Sequence, residues 1–168
     1  LSLSFILAGI SMFQSSYSQV PNTFSVSSII LGNDKPISAT IDEKTSKIYG
    51  IFATENGAKN IIYVIDTAQN KVLDTIKIRA EKNDFLSNIA LDPERGILYA
   101  AGQHLVNEND TIIAYDTLYL INSTNNKFMR IQLYGETEEG KEGSLAGISV
   151  NPVTNKIYVG SLYPDGGK

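Results

Sequence analysis

The chain has 168 residues, with 14 Lys and Arg against 18 Asp and Glu and a formal net charge of −4, and this length fits one domain of roughly 100–200 residues. Cysteine is absent and His104 is the single histidine, which excludes disulfides, thiolate metal sites and multi-histidine metal sites. Mild acidity without a basic stripe argues against a nucleic-acid partner, because phosphate binding needs clustered Lys and Arg.

The amino-terminal segment 1–18 has the pattern of a secretory signal peptide. Residues 3–13 are mostly apolar and are followed by a polar stretch in which Ser16 and Ser18 supply small side chains. An apolar region of about 7–15 residues before small residues is typical of such a signal, and it is too short to span a membrane. The basic residues that usually precede it are missing, so a buried strand or helix is the alternative. We expect cleavage after Ser18 and an exported protein, secreted or at the cell surface, with no membrane-spanning segment.

The rest of the chain is organised by a repeat. Three segments align without gaps: ISATIDEKTSKIYG (37–50), SNIALDPERGILYA (87–100) and AGISVNPVTNKIYV (146–159). A second pair of segments, 62–78 and 118–133, also align. Each repeat contains runs of alternating or β-branched residues bounded by turn residues, which predicts short strands. In the first complete repeat the strands are expected at 37–41, 47–53, 61–66 and 71–78.

The predicted turns have specific chemistry. Asp42 and Asp92 precede turns in which their carboxylates can accept hydrogen bonds from the following backbone. The last position of this turn is Ser46, Gly96 or Asn155, and we expect a left-handed backbone there, which Gly and Asn adopt more readily than Ser.

Four antiparallel strands repeated every 40–50 residues or so are typical of the blades of a β-propeller. The first strand of each repeat alternates small or polar residues with apolar ones, as expected for an inner strand near a central axis. An immunoglobulin-like sandwich or a barrel is the alternative, although neither repeats its turn residues at fixed offsets.

The strings KIY (47–49), IYVIDT (62–67) and NPVTNKIYV (151–159) resemble the YVTN-type β-propeller repeat. The resemblance covers residues 24–168 and implies an exported or surface protein of bacteria or archaea. It is nearly silent on activity and implies no cofactor. Gly160 and Ser161 depart from the Thr-Asn ending of the repeat.

The repeats do not complete a propeller. Residues 19–168 hold a last strand near 24–31, two full blades and part of another, with blade boundaries near 36, 86 and 145. Propellers need roughly four to eight blades, so we expect an incomplete all-β propeller that is the amino-terminal part of a longer protein. As an isolated chain it should self-associate through its exposed sheet edges.

Loop length varies between the second and third strands and between the fourth strand and the next repeat. In a propeller these connections share one face, and variable loops on one face commonly mark a binding site. Residues 102–116 are predicted to be a long loop of this kind, with His104 in it as a solvated residue or, alternatively, a titrating or metal-binding one. The candidate ligand-binding residues on this face are Asp34, Lys35, Asp84, His104 and Asp165, and no metal site is predicted.

The sequence contains no Gly-x-Ser-x-Gly elbow, Walker loop or dinucleotide-binding glycine motif, and we assign no catalytic residue. Asn109 and Asn122 begin glycosylation sequons, although Asn122 also belongs to a predicted turn. The expected function is a binding or cell-surface interaction module for an extracellular ligand or surface protein. The alternatives are a propeller enzyme of lactonase, lyase or quinoprotein type and a structural element of a surface layer.

Overall fold

The computed structural model describes residues 28–29, 31, 33–54, 61–78, 84–108, 110–133 and 144–162. Residues Asn33–Lys168 form one compact unit, separate from Leu1–Gly32. The predicted signal peptide, most of the strand predicted at 24–31, and Asn109 and Asp165 lie outside the described residues.

The described part of the chain is all-β and forms ten strands in three antiparallel sheets. Sheet 1 contains β1 (Lys35–Asp42), β2 (Lys47–Ala53), β3 (Ile61–Asp66) and β4 (Lys71–Lys77) in chain order. Sheet 2 contains β5 (Asp84–Asp92), β6 (Ile97–Glu108), β7 (Thr111–Asn122) and β8 (Phe128–Gln132), also in chain order. Sheet 3 pairs β9 (Ser144–Asn151) with β10 (Lys156–Leu162). The four strands predicted for the first repeat are therefore confirmed to within two residues at either end.

Within the described ranges, no helix has the length and apolarity that crossing a lipid bilayer requires.

The prediction of a long loop at 102–116 is wrong. These residues continue β6 and β7 as a two-stranded ribbon, with Leu105 opposite Ala114 and Glu108 opposite Thr111. The ribbon extends past the rest of sheet 2, because pairing with β5 begins at His104 and pairing with β8 ends at Thr117. Two residues join the strands, and Asp110 there has a φ of 64°, which matches the twist of a tight hairpin.

The turns follow the predicted chemistry. Asp42, Asp92 and Asn151 each accept hydrogen bonds from the backbone N–H groups two and three residues later, at 3.0–3.3 Å. Ser46, Gly96 and Asn155 have positive φ angles of 53°, 63° and 56°. Since all three turns share one conformation, the fixed spacing of the repeat reflects a fixed backbone geometry, which even Ser46 adopts.

The three sheets are stacked face to face in chain order. β1 contacts β5, and β5 contacts β9. One face of sheet 1 and one face of sheet 2 together form the hydrophobic core, whose buried members are Tyr49, Ile51, Ile62, Val64, Ile76, Ile78, Leu86, Ile89, Leu91, Leu98, Ala100, Tyr119 and Ile121. Removing this apolar surface from water is the main stabilisation of the stack.

Equivalent polar positions of the first strands bridge neighbouring sheets. Ser38 Oγ accepts a hydrogen bond from the backbone N–H of Ile89 at 3.3 Å. Asn88, which aligns with Ser38 in the repeat, donates from Nδ2 to the carbonyl of Leu145 at 3.0 Å. The small polar residues of these strands therefore allow one sheet to contact the backbone of the next.

Candidate functional site

The antiparallel registers place the two kinds of connection at opposite ends of the sheets. One end, called here the turn end, carries the turns of four or five residues that follow β1, β3, β5, β7 and β9. The other, called the connection end, carries the β2–β3 connection, the β6–β7 ribbon and the links between sheets, because Lys35 pairs with Ala53 and Asp84 with His104 there. Both kinds of variable connection thus lie at the same end of the sheets to which they belong.

Asp34 and Lys35 lie at the connection end of sheet 1. Lys35 begins β1 and is exposed, and Asp34 is half-buried. Asp34 Oδ2 accepts a hydrogen bond of 2.6 Å from the Tyr63 hydroxyl on β3. This hydrogen bond is the main cause of the raised pKa of Tyr63, with burial and the carboxylate charge acting in the same direction. Tyr63 therefore remains a protonated donor, and it also packs edge-on against Phe52 at a centroid distance of 5.1 Å.

Asp84 and His104 are cross-strand partners at the connection end of sheet 2. His104 is only 9 % exposed, so the prediction of a solvated loop residue is wrong. The cause is the ribbon, because β6 continues through this position between β5 and β7 instead of leaving the sheet. A buried imidazole must be held by polar partners rather than by bulk water.

A group of polar residues beside His104 was not predicted. Asp116 is 5 % exposed and Thr117 is 1 % exposed. Gln103 Nε2 donates to Asp116 Oδ1 at 3.4 Å, and Thr117 Oγ1 donates to the Tyr115 carbonyl at 2.9 Å. The backbone carbonyl of Asp116 accepts from the N–H of Leu133 at 2.8 Å, which ties β7 to the end of β8. The signal in the sequence was the pair Asp116-Thr117, which interrupts an otherwise apolar strand.

The sequence-predicted residues are only partly brought together. Asp84 and His104 are neighbours across two strands, and Asp34 and Lys35 lie on the adjacent sheet at the same end. Asp165 and Asn109 lie outside the described residues. Asn122 lies at the turn end, where its Oδ1 accepts hydrogen bonds from the backbone N–H groups of Thr124 and Asn125. Asn122 therefore stabilises the turn between β7 and β8.

The connection end offers hydrogen-bonding groups of several kinds rather than one focused charge. Asp34 and Tyr63 supply a carboxylate and a phenol at sheet 1. At sheet 2, Gln103 and Asp116 lie on one face and His104 lies on the other, because successive residues of a strand alternate faces. Within the described ranges, no three acidic or histidine side chains converge as they would around a metal ion. Beyond this group the ribbon carries Ile112, whose side chain is 65 % exposed. These groups can donate and accept hydrogen bonds, and Ile112 offers an apolar surface beyond them.

No protein-family model matches the chain, and no curated protein matches it.

Proposed function

We propose that this chain is an exported β-propeller repeat protein of the YVTN type, secreted or at the cell surface, that binds an extracellular ligand or surface protein at the connection end of its sheets. One observation carries the proposal: the turns at the turn end hold four or five residues, with a left-handed backbone at the same position of each turn, whereas the segments between strands at the connection end range from two to eleven residues. A rigid sheet scaffold with variable segments at one end is a common design for recognition.

The packing of the sheets supports the propeller class. Propeller blades are four-stranded antiparallel sheets whose strands follow chain order and whose first strands lie nearest the axis. Sheets 1 and 2 have this strand order, and the contacts between sheets run through the first strands β1, β5 and β9. Export is supported by the apolar segment and the small residues that follow it at the amino terminus.

The polar groups at the connection end support binding of a polar ligand. Buried polar side chains cost stability unless they are hydrogen-bonded. His104 and Asp116 are nevertheless buried at this end, and Gln103 donates to Asp116, so hydrogen-bonding groups lie next to the ribbon. The ribbon beyond them adds an exposed surface with both polar and apolar residues. A ligand bound here would contact the ribbon first.

The test shortens the ribbon without disturbing the sheet. Replacing residues 106–113 by Asn-Gly retains the Leu105–Ala114 pair and supplies a two-residue hairpin turn. The labelled 168-residue chain would be screened on an array of cell-envelope glycans and extracellular peptides, together with this variant and with Lys44→Ala, an exposed change at the turn end. We expect the chain and Lys44→Ala to bind the same array members and the shortened variant to bind them at least tenfold more weakly. Equal binding by all three proteins would remove the connection end as the site.

The same labelled chain distinguishes a binding module from the enzyme alternative. A lactonase or lyase would convert a substrate added in excess, whereas a binding module retains it unchanged. Chromatography of the solution detects any conversion of an array ligand. Conversion would show that the chain is an enzyme and would contradict the binding proposal.

A further inference from the structure

Strands β4 and β8 form the outer edges of sheets 1 and 2. Each is the fourth strand of its sheet and, among the described strands, pairs on one side only. The first strands, β1 and β5, instead contact the neighbouring sheets. An edge strand presents backbone N–H and C=O groups to which another strand can add, and proteins commonly protect such edges with bulges and charged residues. The two outer edges differ in this protection.

Strand β4 is a protected edge. A bulge interrupts its pairing with β3, and three of its seven residues are charged. The backbone N–H of Thr75 donates to the carboxylate of Asp74 at 2.7 Å. That carboxylate also accepts a hydrogen bond of 2.9 Å from Asn126 Nδ2, which holds it in place. These features leave β4 poorly suited to accept a further strand.

Strand β8 does not have this protection. It pairs with β7 without a register shift, and Arg130 is the one charged residue among its five. Its last four residues are all exposed, so this edge lies at the molecular surface. An exposed edge strand of regular geometry is a template for pairing with another strand.

Hydrogen bonds at both ends of β8 show which of its backbone groups face away from β7. The carbonyl of Lys127 accepts from the N–H of Asn122, and the N–H of Leu133 donates to the carbonyl of Asp116, both at 2.8 Å. Backbone groups alternate sides along a strand, so the odd-numbered residues of β8 bond to β7. The even-numbered residues point their N–H and C=O groups outward, and these residues are Phe128, Arg130 and Gln132.

We propose that β8 of one copy of this chain pairs antiparallel with β8 of a second copy and joins the two copies of sheet 2 into one continuous sheet. The same strand is used on both sides of the contact, so the two copies are related by a two-fold axis and the assembly closes at a dimer. The contact needs only the outer edge of sheet 2. It is therefore independent of ligand binding at the connection end.

Two of the registers in which β8 could pair with itself bring unsuitable side chains together. Outward-pointing residues must lie opposite each other, because they exchange the backbone hydrogen bonds of the contact. Placing Arg130 opposite Arg130 sets like charges against each other, which is destabilising. Placing Phe128 opposite Arg130 sets the charged Lys127 against the apolar Ile131.

The remaining register is self-complementary, and this identifies the occupant as a second copy. It places Arg130 of each copy opposite Gln132 of the other, where the amide oxygen can accept from the guanidinium. On the other face of the sheet it places Ile131 opposite Ile131 and Met129 opposite Leu133. Polar side chains thus meet polar ones and apolar side chains meet apolar ones, which is the pattern that specifies a strand register.

Sedimentation velocity of the 168-residue chain between about 1 and 100 μM tests the association. We expect the unchanged chain to show an equilibrium between monomer and dimer. Arg130→Pro should be monomeric, because proline removes an outward N–H and leaves the hydrogen bonds to β7 intact. Thr75→Pro is the matched control on β4, where the N–H donates to Asp74 rather than to a strand, and it should dimerise like the unchanged chain.

Charge exchange tests the register without changing the backbone. Gln132→Lys sets a positive charge against Arg130 of the second copy and should weaken the dimer about tenfold or more. The double variant Arg130→Glu/Gln132→Glu should be equally weak by itself, because its glutamates lie opposite each other. A 1:1 mixture of the two variants should restore the dimer, since every charged pair across the contact then has opposite signs.

Disulfide formation gives a second, independent measurement, since the chain has no cysteine of its own. Ile131 lies on the two-fold axis, where the Cα atoms of directly opposite residues should be about 4.5 Å apart, within the range that a disulfide spans. Oxidation should therefore link Ile131→Cys chains into dimers. Met129→Cys is the control, because it lies on the same face but opposite Leu133, and it should remain unlinked.

Three results would overturn the proposal: a monomeric unchanged chain at 100 μM, full dimerisation of Arg130→Pro, and equal disulfide linkage at positions 129 and 131. Assemblies larger than a dimer would show an open contact and contradict the two-fold pairing. The circular dichroism spectrum of each variant confirms that its sheets are formed.

Discussion

Tyr49 and Tyr158 occupy the same position of the repeat, but Tyr49 is 2 % exposed and Tyr158 is 56 % exposed. Sheet 2 covers Tyr49, and its hydroxyl shares a hydrogen bond with Ser123 of that sheet. Burial is the main cause of its raised pKa, and this hydrogen bond partly offsets the rise. The environment of each repeat tyrosine is thus set by the sheet that packs on it.

This difference predicts unequal costs for the same substitution. Tyr49→Ala should lower the free energy of unfolding by about 3–5 kcal/mol, as is usual for removing a large buried aromatic side chain. Tyr158→Ala should change it by about 0.5 kcal/mol or less, as at other exposed positions. Urea unfolding followed by circular dichroism, at a concentration low enough to keep the chain monomeric, measures both. Similar losses for the two variants would show that the sheets are not stacked as described.

Gly102 is required by a close approach of the backbone. A Cβ at this position would lie 1.9 Å from the carbonyl oxygen of Phe85 on the neighbouring strand β5, beside the irregular pairing between Leu86 and Asn88. Gly102→Ala should therefore lower the free energy of unfolding by about 2–3 kcal/mol, since the backbone itself must move.

Gly147 is the matched control for Gly102, because a Cβ there meets no heavy atom within 4 Å. Gly147→Ala should be neutral to within about 0.5 kcal/mol or slightly stabilising, since alanine loses less backbone entropy on folding. Thermal melts of the two variants beside the unchanged chain make the comparison. A neutral Gly102→Ala would contradict the described register of β5 and β6.

Asp92 should make the stability of the chain depend on pH. It is 1 % exposed, and burial, the largest single influence, acts to raise its pKa. The hydrogen bonds from the Arg95 guanidinium and from the backbone N–H groups of Arg95 and Glu94, with the positive charge of Arg95, together outweigh burial and lower the pKa. A carboxylate with a lowered folded-state pKa stabilises the fold fully above its unfolded pKa of about 3.9, and this contribution is lost as the pH falls through the folded value.

Asp92→Asn isolates the charge, since an asparagine at the aligned position 151 forms the same backbone turn. At pH 7 the variant should be less stable by about 1.5–3 kcal/mol, which is typical of hydrogen bonds to a charged group. The difference should shrink as the pH is lowered from 5 towards 3, as measured by urea unfolding. Glu43→Gln, an exposed change in the neighbouring turn, controls for net charge. A difference that stays constant down to pH 3 would show that the ionised carboxylate does not stabilise the turn.

The ion pair between Lys44 and Glu94 should contribute little despite its short distance of 2.6 Å. Both side chains are more than half exposed, at 56 % and 62 %, and exposed pairs typically contribute about 0–1 kcal/mol. A double-mutant cycle with Lys44→Ala and Glu94→Ala should give a coupling energy below about 1 kcal/mol that falls further in 1 M salt. A larger coupling that resists salt would mean that water is excluded from this contact.

The sequence predicted the parts of the fold that depend on local chemistry. The strands of sheet 1 and the left-handed backbone at Ser46, Gly96 and Asn155 follow from alternation and from the turn residues, which act within a few positions. The stretch GQHLVNENDTIIAYD (102–116) mixes polar and apolar residues without regular alternation. Its first half pairs with its second half, so residues up to 13 positions apart lie side by side. The ribbon was therefore missed, and the burial of His104 with it.

The candidate site could be predicted as an end of the sheets but not as a set of side chains. Variable connection length located the connection end correctly for Asp34, Lys35, Asp84 and His104. The hydrogen bond between Tyr63 and Asp34 and the buried pair Asp116-Thr117 depend on which strands lie side by side. Cross-strand partners of this kind are set by register, which a single sequence does not reveal.

The central claim is that successive sheets stack through equivalent positions of their first strands. Nuclear Overhauser contacts in the isotopically labelled chain, at a concentration where it is monomeric, test it most directly. Stacking of this kind predicts contacts between the Ile89 amide proton and the Ser38 β-protons, and between the Asn88 side-chain amide and the backbone around Leu145. Contacts within each sheet but none between β1 and β5 or between β5 and β9 would contradict it.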